Sequence, residues 1–238
     1  MSMRYKGGVI SATAPTTSKS AASGVWTLPQ QLQAIAAGNW TGMPLVIGQA
    51  FGGGFFAGQI STAGNSIADY NLVVGPFSSA ENASKQWKTA NTSTTGTSSV
   101  IDGPANSAAM NDANHPAAQF CEGLTIGGFS DWYMPAKNEL EVCYYNLKPT
   151  TTSNSTAYGK NPNAVPARGS NYTAGNPAQT TAADFKNTGT EAFISDRYWS
   201  STENSATTGW IHVFGGGYQN PYSKNIYYRV RAIRRVAV

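Results

Sequence analysis

From Leu45 onward, short apolar runs alternate with stretches of Gly, Pro, Asn and Ser, and two segments show helical spacing. The runs at 45–49, Gly54–Ile60 and Tyr70–Val74 predict strands, the last stopped by Pro76. Polar residues 88–99 predict a loop, and the Ala-rich 106–113 predicts a helix. A second helix opens at His115-Pro116 and sets Ala117, Phe120, Cys121 and Leu124 on one face. A third begins after Pro135, with Leu140, Cys143, Tyr144 and Leu147 in step. Short strands return at 192–194, 198–201, 210–214 and 228–234. The whole reads as α+β.

The last forty residues carry a finer pattern. Successive side chains of a strand point to opposite faces, so if Trp210, His212 and Phe214 face inward, Ile211 and Val213 face outward. Large aliphatics there gain nothing in an isolated domain and call for a partner. Residues 215–228 are rich in Gly, Asn, Tyr and Ser, the palette of antibody paratopes, in which Tyr supplies stiff contact area and the small residues adapt. The same composition suits a Gly-rich hairpin loop with aromatic cover.

Residues 1–42 differ. Residues 7–23 are Ser/Thr/Ala-rich and too polar to hold a core alone, which predicts an extended arm. Thr27 then caps a short helix with Pro29 in its first turn, Leu28, Leu32 and Ile35 on one stripe and Gly38 at its end. The division is thus an arm with a docking helix over 1–42 and a folded domain over 43–238. Residues 149–190 lack periodicity and are too long for an ordinary connection, so they read as a functional loop insertion or a surface excursion.

Charged residues make up only 12% of the 238, which is unusual for a metabolic enzyme and more familiar on extracellular or virion surfaces. The formal charge is +4, and no acidic residue follows Glu203, so the C-terminal segment is locally positive. That suits an anionic glycan or lipopolysaccharide, unless the final arginines pair with carboxylates inside the fold. No dense Lys/Arg face or nucleic-acid motif is present, and no nucleic-acid partner is expected. The N-terminus lacks the apolar core of a secretory signal, and no stretch approaches the roughly 20 apolar residues of a membrane span. Cys121 and Cys143 read first as buried thiols and second as a disulfide.

Catalytic chemistry finds little support. The two histidines, His115 and His212, fall at a helix start and on the inward face of a strand, where both read as structural. They form no metal-ligand cluster with the scattered acids. Asp184, Glu191, Asp196 and Glu203 could supply paired carboxylates for glycoside hydrolysis, but nothing fixes their spacing. Gly52-Gly53-Gly54 lacks the Lys-Ser/Thr sequel of a phosphate loop. No catalytic residue, metal or cofactor is expected.

Three blocks carry a family resemblance: Gly127-Gly128-Phe129-Ser130-Asp131-Trp132-Tyr133-Met134-Pro135-Ala136-Lys137-Asn138-Glu139-Leu140, then Tyr198-Trp199-Ser200-Ser201-Thr202-Glu203, then Arg229-Val230-Arg231. Supporting blocks are Gln86-Trp87-Lys88-Thr89, Asp102-Gly103-Pro104-Ala105-Asn106 and Pro116-Ala117-Ala118-Gln119-Phe120-Cys121. Over residues 45–238 the chain resembles C-type-lectin-like domains of the sulfatase-modifying-factor type, found in phage tail proteins and at the C-terminus of bacterial collagen-like adhesins. Its end resembles the variable region of retroelement-diversified proteins such as the phage major tropism determinant. In those a frame like Trp210, Phe214, Gly217, Gln219, Lys224 and Arg229-Val230-Arg231 is kept while the positions between vary.

The resemblance implies a C-type-lectin-like fold and a contact set of Ile211, Val213, Gly215, Gly216, Tyr218, Asn220, Pro221, Tyr222, Ser223, Asn225, Ile226 and Tyr227. It implies a virion protein, a tail fibre or similar appendage, that binds a host surface protein or glycan. The arm would meet other virion proteins, and the assembly would be a homotrimer displayed on the particle exterior. Alternatives are a capsid-decoration or neck protein of the same fold, or an enzyme acting on surface polysaccharide. The calcium motifs of sugar-binding lectins are missing, since Gln219-Asn220-Pro221 has the wrong order. The C-terminal cysteines of formylglycine-generating enzymes are missing too.

Overall fold

Two curled sheets form around the expected runs, and one helix packs on both. The structure is a computed structural model that describes residues 45–238, so the expected arm and docking helix of 1–42 lie outside the described residues. The first sheet holds β1 (Ala50–Phe51), β2 (Gly54–Ile60), β3 (Tyr70–Val74) and β10 (Ile233–Ala237) in that order, with β5 (Ala164–Val165) added to β2. The second runs β4 (Glu81–Gln86), β9 (Tyr227–Arg231), β6 (Arg197–Glu203), β7 (Thr208–Val213) and β8 (Tyr218–Ser223). Only the β6–β9 pairing is parallel, set by Tyr198 opposite Arg229. The helices are α1 (Phe77–Ala80), α2 (Gly103–Ala108), α3 (Pro116–Glu122) and α4 (Lys137–Leu147).

Apolar burial divides into two cores. The first lies where α4 meets both sheets, with Leu140, Cys143, Tyr144 and Leu147 against Ile60, Leu72, Phe214 and Ile233. Close approach of helix and strand requires Gly58, at φ +125°: a Cβ there would lie 2.3 Å from the Asn146 amide nitrogen. Asn146 in turn donates to the Ala57 carbonyl at 2.8 Å. The second core joins α2, α3 and Trp132 to the far face of the second sheet, through Trp87, Met110, Ala117, Cys121, Trp199, Ile211 and Val230. Both cysteines are free and buried, one in each core.

Several elements depart from the pattern-based expectation. Residues 45–49 form a turn instead of a strand, closed by Gln49 N–H donating to the Val46 carbonyl at 2.9 Å and tied to β2 by Gly48 N–H donating to the Phe56 carbonyl at 2.8 Å. Helix α2 starts at Gly103 instead of 106, because Asp102 accepts from the Ala105 N–H at 3.3 Å and Pro104 fits the first turn. Strand β4 has no alternating apolar signal and forms through its pairing with β9. Residues 192–194 stay irregular, although Phe193 is buried and stacks on Phe214 at 4.0 Å. The run 228–234 splits at Ala232, where the chain leaves the second sheet for the first.

Residues 149–190 contain only β5 and a short 3₁₀ turn at Ala183–Phe185, yet polar side chains tie them down. The Lys148 ammonium donates to the carbonyls of Thr152 (2.5 Å) and Pro177 (3.1 Å). Asn154 donates to the carbonyls of Thr173, Ala174 and Pro177 and accepts from the Tyr144 hydroxyl at 2.6 Å. The buried Glu141 carboxylate accepts from Tyr172 and Asn161 and pairs with Arg168. Burial pushes the Glu141 carboxyl upward, and Arg168 opposes that shift. These hydrogen bonds share the tethering with three scattered apolar anchors, Ala164, Tyr172 and Phe185, which enter the first core without any apolar periodicity.

Candidate functional site

Strands β6, β7 and β8 pair antiparallel, and direct partners share a face. Arg197 lies opposite Val213, which lies opposite Tyr218, forming one row. Trp199, Ile211 and Asn220 form the next row. On the other face Tyr198, His212 and Gln219 make a row, followed by Trp210 with Pro221. The alternation read from the sequence therefore holds, with Ile211 and Val213 on the face opposite His212 and Phe214.

The expectation that this opposite face is bare needs correction at Ile211. Ile211 is only 1% exposed, because the second core roofs its row with Trp87, Met110 and the α3 residues Ala117, Ala118 and Cys121. Val213 is half-buried at the edge of that roof. Gly216 is also buried, its carbonyl accepting from the Ser155 N–H at 2.8 Å. Of the remaining contact set, Tyr218, Pro221, Asn225, Ile226 and Tyr227 are exposed, while Gly215, Asn220, Tyr222 and Ser223 are half-buried.

Beyond the roof the face carries aromatic rings and a cation. Tyr222 and Tyr228 meet edge to face at 5.4 Å, and Tyr228 leans on Trp199 at 5.2 Å. The Arg197 guanidinium stands 5.7 Å from the Tyr222 ring and 5.6 Å from that of Tyr228. Tyr218 remains 45% exposed and meets Tyr158 of the insertion at 5.9 Å. The Tyr158 hydroxyl donates to the Asn220 side chain at 2.6 Å, so the insertion buttresses the edge strand. Sequence reasoning missed Arg197, Tyr228 and Tyr158. Arg197 was legible as the residue that precedes the Tyr198-Trp199 block by one position, whereas Tyr158 sits in a segment without pattern.

Both turns that bound β8 are fixed from beneath. Gly217 adopts φ +75°, and a Cβ there would lie 2.8 Å from the Tyr144 ring and 2.9 Å from that of Tyr172. At the other turn the Lys224 ammonium is wholly buried, paired with Glu203 and bonded to the carbonyls of Thr92 (2.9 Å) and Ala206 (3.0 Å). Gly217 and Lys224 are thus fixed from beneath, while Tyr218, Pro221, Asn225, Ile226 and Tyr227 around them reach solvent.

The C-terminal arginines are spent inside the fold. Arg229 pairs with Glu81 at 2.9 Å, Arg231 with Glu191 at 3.0 Å, Arg234 with Asp131 at 2.7 Å and Arg235 with Glu139 at 2.8 Å. The positive end seen in the sequence is accordingly neutralised on folding. Three of the four carboxylates weighed for hydrolysis are engaged too: Glu191 by Arg231, Asp196 by Arg229 and Glu203 by Lys224. His115 bonds Thr94 at 2.9 Å and Asp112 at 2.8 Å against the Trp87 ring, as befits a structural residue.

The sheet thus carries a half-roofed aromatic face, and comparison with known proteins supplies the class of the domain. The model of the family described as the Lcl C-terminal domain matches residues 81–234, from β4 into β10, and the chain belongs to that family. This membership agrees with the C-type-lectin-like resemblance of the motif blocks. No curated protein matches the chain. No helix among the described residues is long and apolar enough to cross a membrane.

Proposed function

We propose that this protein is a phage virion component, a tail fibre or similar appendage with a C-type-lectin-like domain, and that it binds a host-cell surface protein or glycan. Its contact face is built on β6, β7 and β8 and on the turns beside β8. The observation that carries the reading is the group of Tyr218, Tyr222, Tyr228 and Arg197, which the roof of the second core leaves half-buried or exposed at one end of the face. Tyrosines offer contact area at small conformational cost, and a half-exposed arginine beside them supplies directional donors.

Function in this reading is contact without chemistry, and it requires no cofactor. Several copies on one particle, in a homotrimer or a set of trimers, turn weak single contacts into firm attachment. The exposed positions among the set from Val213 to Tyr227 are those at which retroelement diversification would act with least harm to the fold.

Adsorption tests the proposal. The double variant Tyr218→Ser with Arg197→Ser should keep the melting temperature and lose competition with virions for host cells. Unchanged competition by a folded variant would overturn the reading. A near-repeat of the coding segment for residues 209–231 beside a reverse transcriptase gene would establish diversification.

A further inference from the structure

A cavity of about 230 Å³ opens beside α2 and α3, and it shares no residue with the contact face. Two motif stretches that the face leaves unused converge on it. Trp132 and Tyr133 come from the 127–140 block, and Ala108 ends the helix that the 102–106 block begins. The Trp132 indole N–H is occupied by the Phe129 carbonyl at 3.1 Å and the Tyr133 hydroxyl by Glu139 at 2.6 Å. Trp132 and Tyr133 are buried and back the cavity without offering it a free polar group, while Pro104 and Ala108 are the more open apolar residues of its lining.

Three charged residues line the same space, and two are neutralised. Arg235 donates to Glu139 at 2.8 Å and lies 3.8 Å from Asp102. Asp131 accepts from Arg234 at 2.7 and 2.9 Å. Glu122, at the end of α3, is half-buried and has no cation within 4.0 Å among the described residues. Burial raises its carboxyl above the ordinary range, and the nearby Ser107 hydroxyl opposes the shift. A half-buried carboxylate against apolar walls is costly unless a cation joins it.

We propose that this cavity binds an organic cation, an ammonium or guanidinium on an apolar stem, with Glu122 as its counter-ion. The walls take the stem along Trp132, Tyr133 and Ala108. Liquid water occupies about 30 Å³ per molecule, so the space holds roughly seven or eight heavy atoms, the size of a short alkylamine or a lysine side chain. Anions are disfavoured because Glu122 is the one charge lining the space that no ion pair offsets. This site stands or falls separately from receptor binding.

The test uses three probes followed by calorimetry and by the Trp132 indole signal in nitrogen–proton NMR. The probes are n-pentylamine, Nα-acetyl-lysine amide and the neutral n-pentanol. Both cations should bind saturably, with affinity reduced about tenfold or more in Glu122→Gln, the loss expected for one charge-assisted contact. Pentanol should bind correspondingly more weakly. Tighter pentylamine assigns the site to free amines, and tighter lysine amide assigns it to a basic side chain of a polypeptide. Ala108→Leu, at an exposed rim position, closes the mouth by a second route and should also abolish binding. Equal affinity in folded Glu122→Gln, equal binding of pentanol, or no saturable shift from either cation would overturn the proposal.

Discussion

Lys224 and Glu203 form a buried ion pair that ties the β8–β9 turn to the end of β6, the lysine side chain fully enclosed and the glutamate 15% exposed. The ammonium also holds the carbonyls of Thr92 and Ala206 and lies 4.5 Å from the Trp87 ring centre. Lys224→Met leaves a carboxylate and two carbonyls without their donor. We expect a loss of about 3 kcal/mol in unfolding free energy, measured by urea denaturation. Glu203→Gln combined with Lys224→Met should recover part of it, and an unaltered stability for the single variant would contradict the tether.

Ile211 and Tyr227 belong to the same expected contact set but behave oppositely. Ile211→Ala empties a site in the second core and should cost about 2–5 kcal/mol. Tyr227, 61% exposed, should tolerate Ser within about 0.5 kcal/mol. Thermal melts of both variants decide this, and similar small losses would mean that the roof over β7 is not packed as described.

His212 makes the fold acid-sensitive in a defined window. It lies between Tyr144 and Phe214, at 4.6 and 5.5 Å, with neither ring nitrogen bonded. Burial lowers its pKa to about 3, and the Lys137 and Arg168 cations add to the shift. The unfolded chain protonates near pH 6.5, so between that value and about 3 it binds the extra proton. The stabilisation is complete above the unfolded pKa and is lost as pH falls, by up to about 1.4 kcal/mol per pH unit. His212→Leu should remove this component when urea midpoints are compared from pH 7 to 4.5. The buried glutamates titrate in both proteins and cancel in the difference. Parallel profiles would refute the assignment.

Asn154 is the knot of the insertion, with three carbonyls and one hydroxyl depending on its amide. Asn154→Ala should cost about 3 kcal/mol and raise hydrogen exchange selectively within 149–190. Because Tyr158 buttresses Asn220 and Tyr218, the proposed receptor role predicts that the same variant competes less well for host cells without altering any residue of the face. Exchange unchanged in the insertion would show that other contacts hold it.

The sequence by itself determined the elements whose signal is local. Short apolar runs bounded by turn residues placed β2 and β3, alternation sorted Ile211 and Val213 from His212 and Phe214, and proline and helical spacing placed α3 and α4. The motif blocks determined the family. Only the tertiary structure decided which sheet faces stay open. The roof over Ile211 comes from Trp87, Met110 and Cys121, about ninety residues or more earlier in the chain, and no periodicity within β7 encodes their arrival. The insertion was illegible for the same reason: Lys148, Asn154 and Glu141 each gather several hydrogen bonds from separate stretches of the chain, and such bonds leave no repeat to read. Periodicity records which way a side chain points, and packing alone records what it meets there.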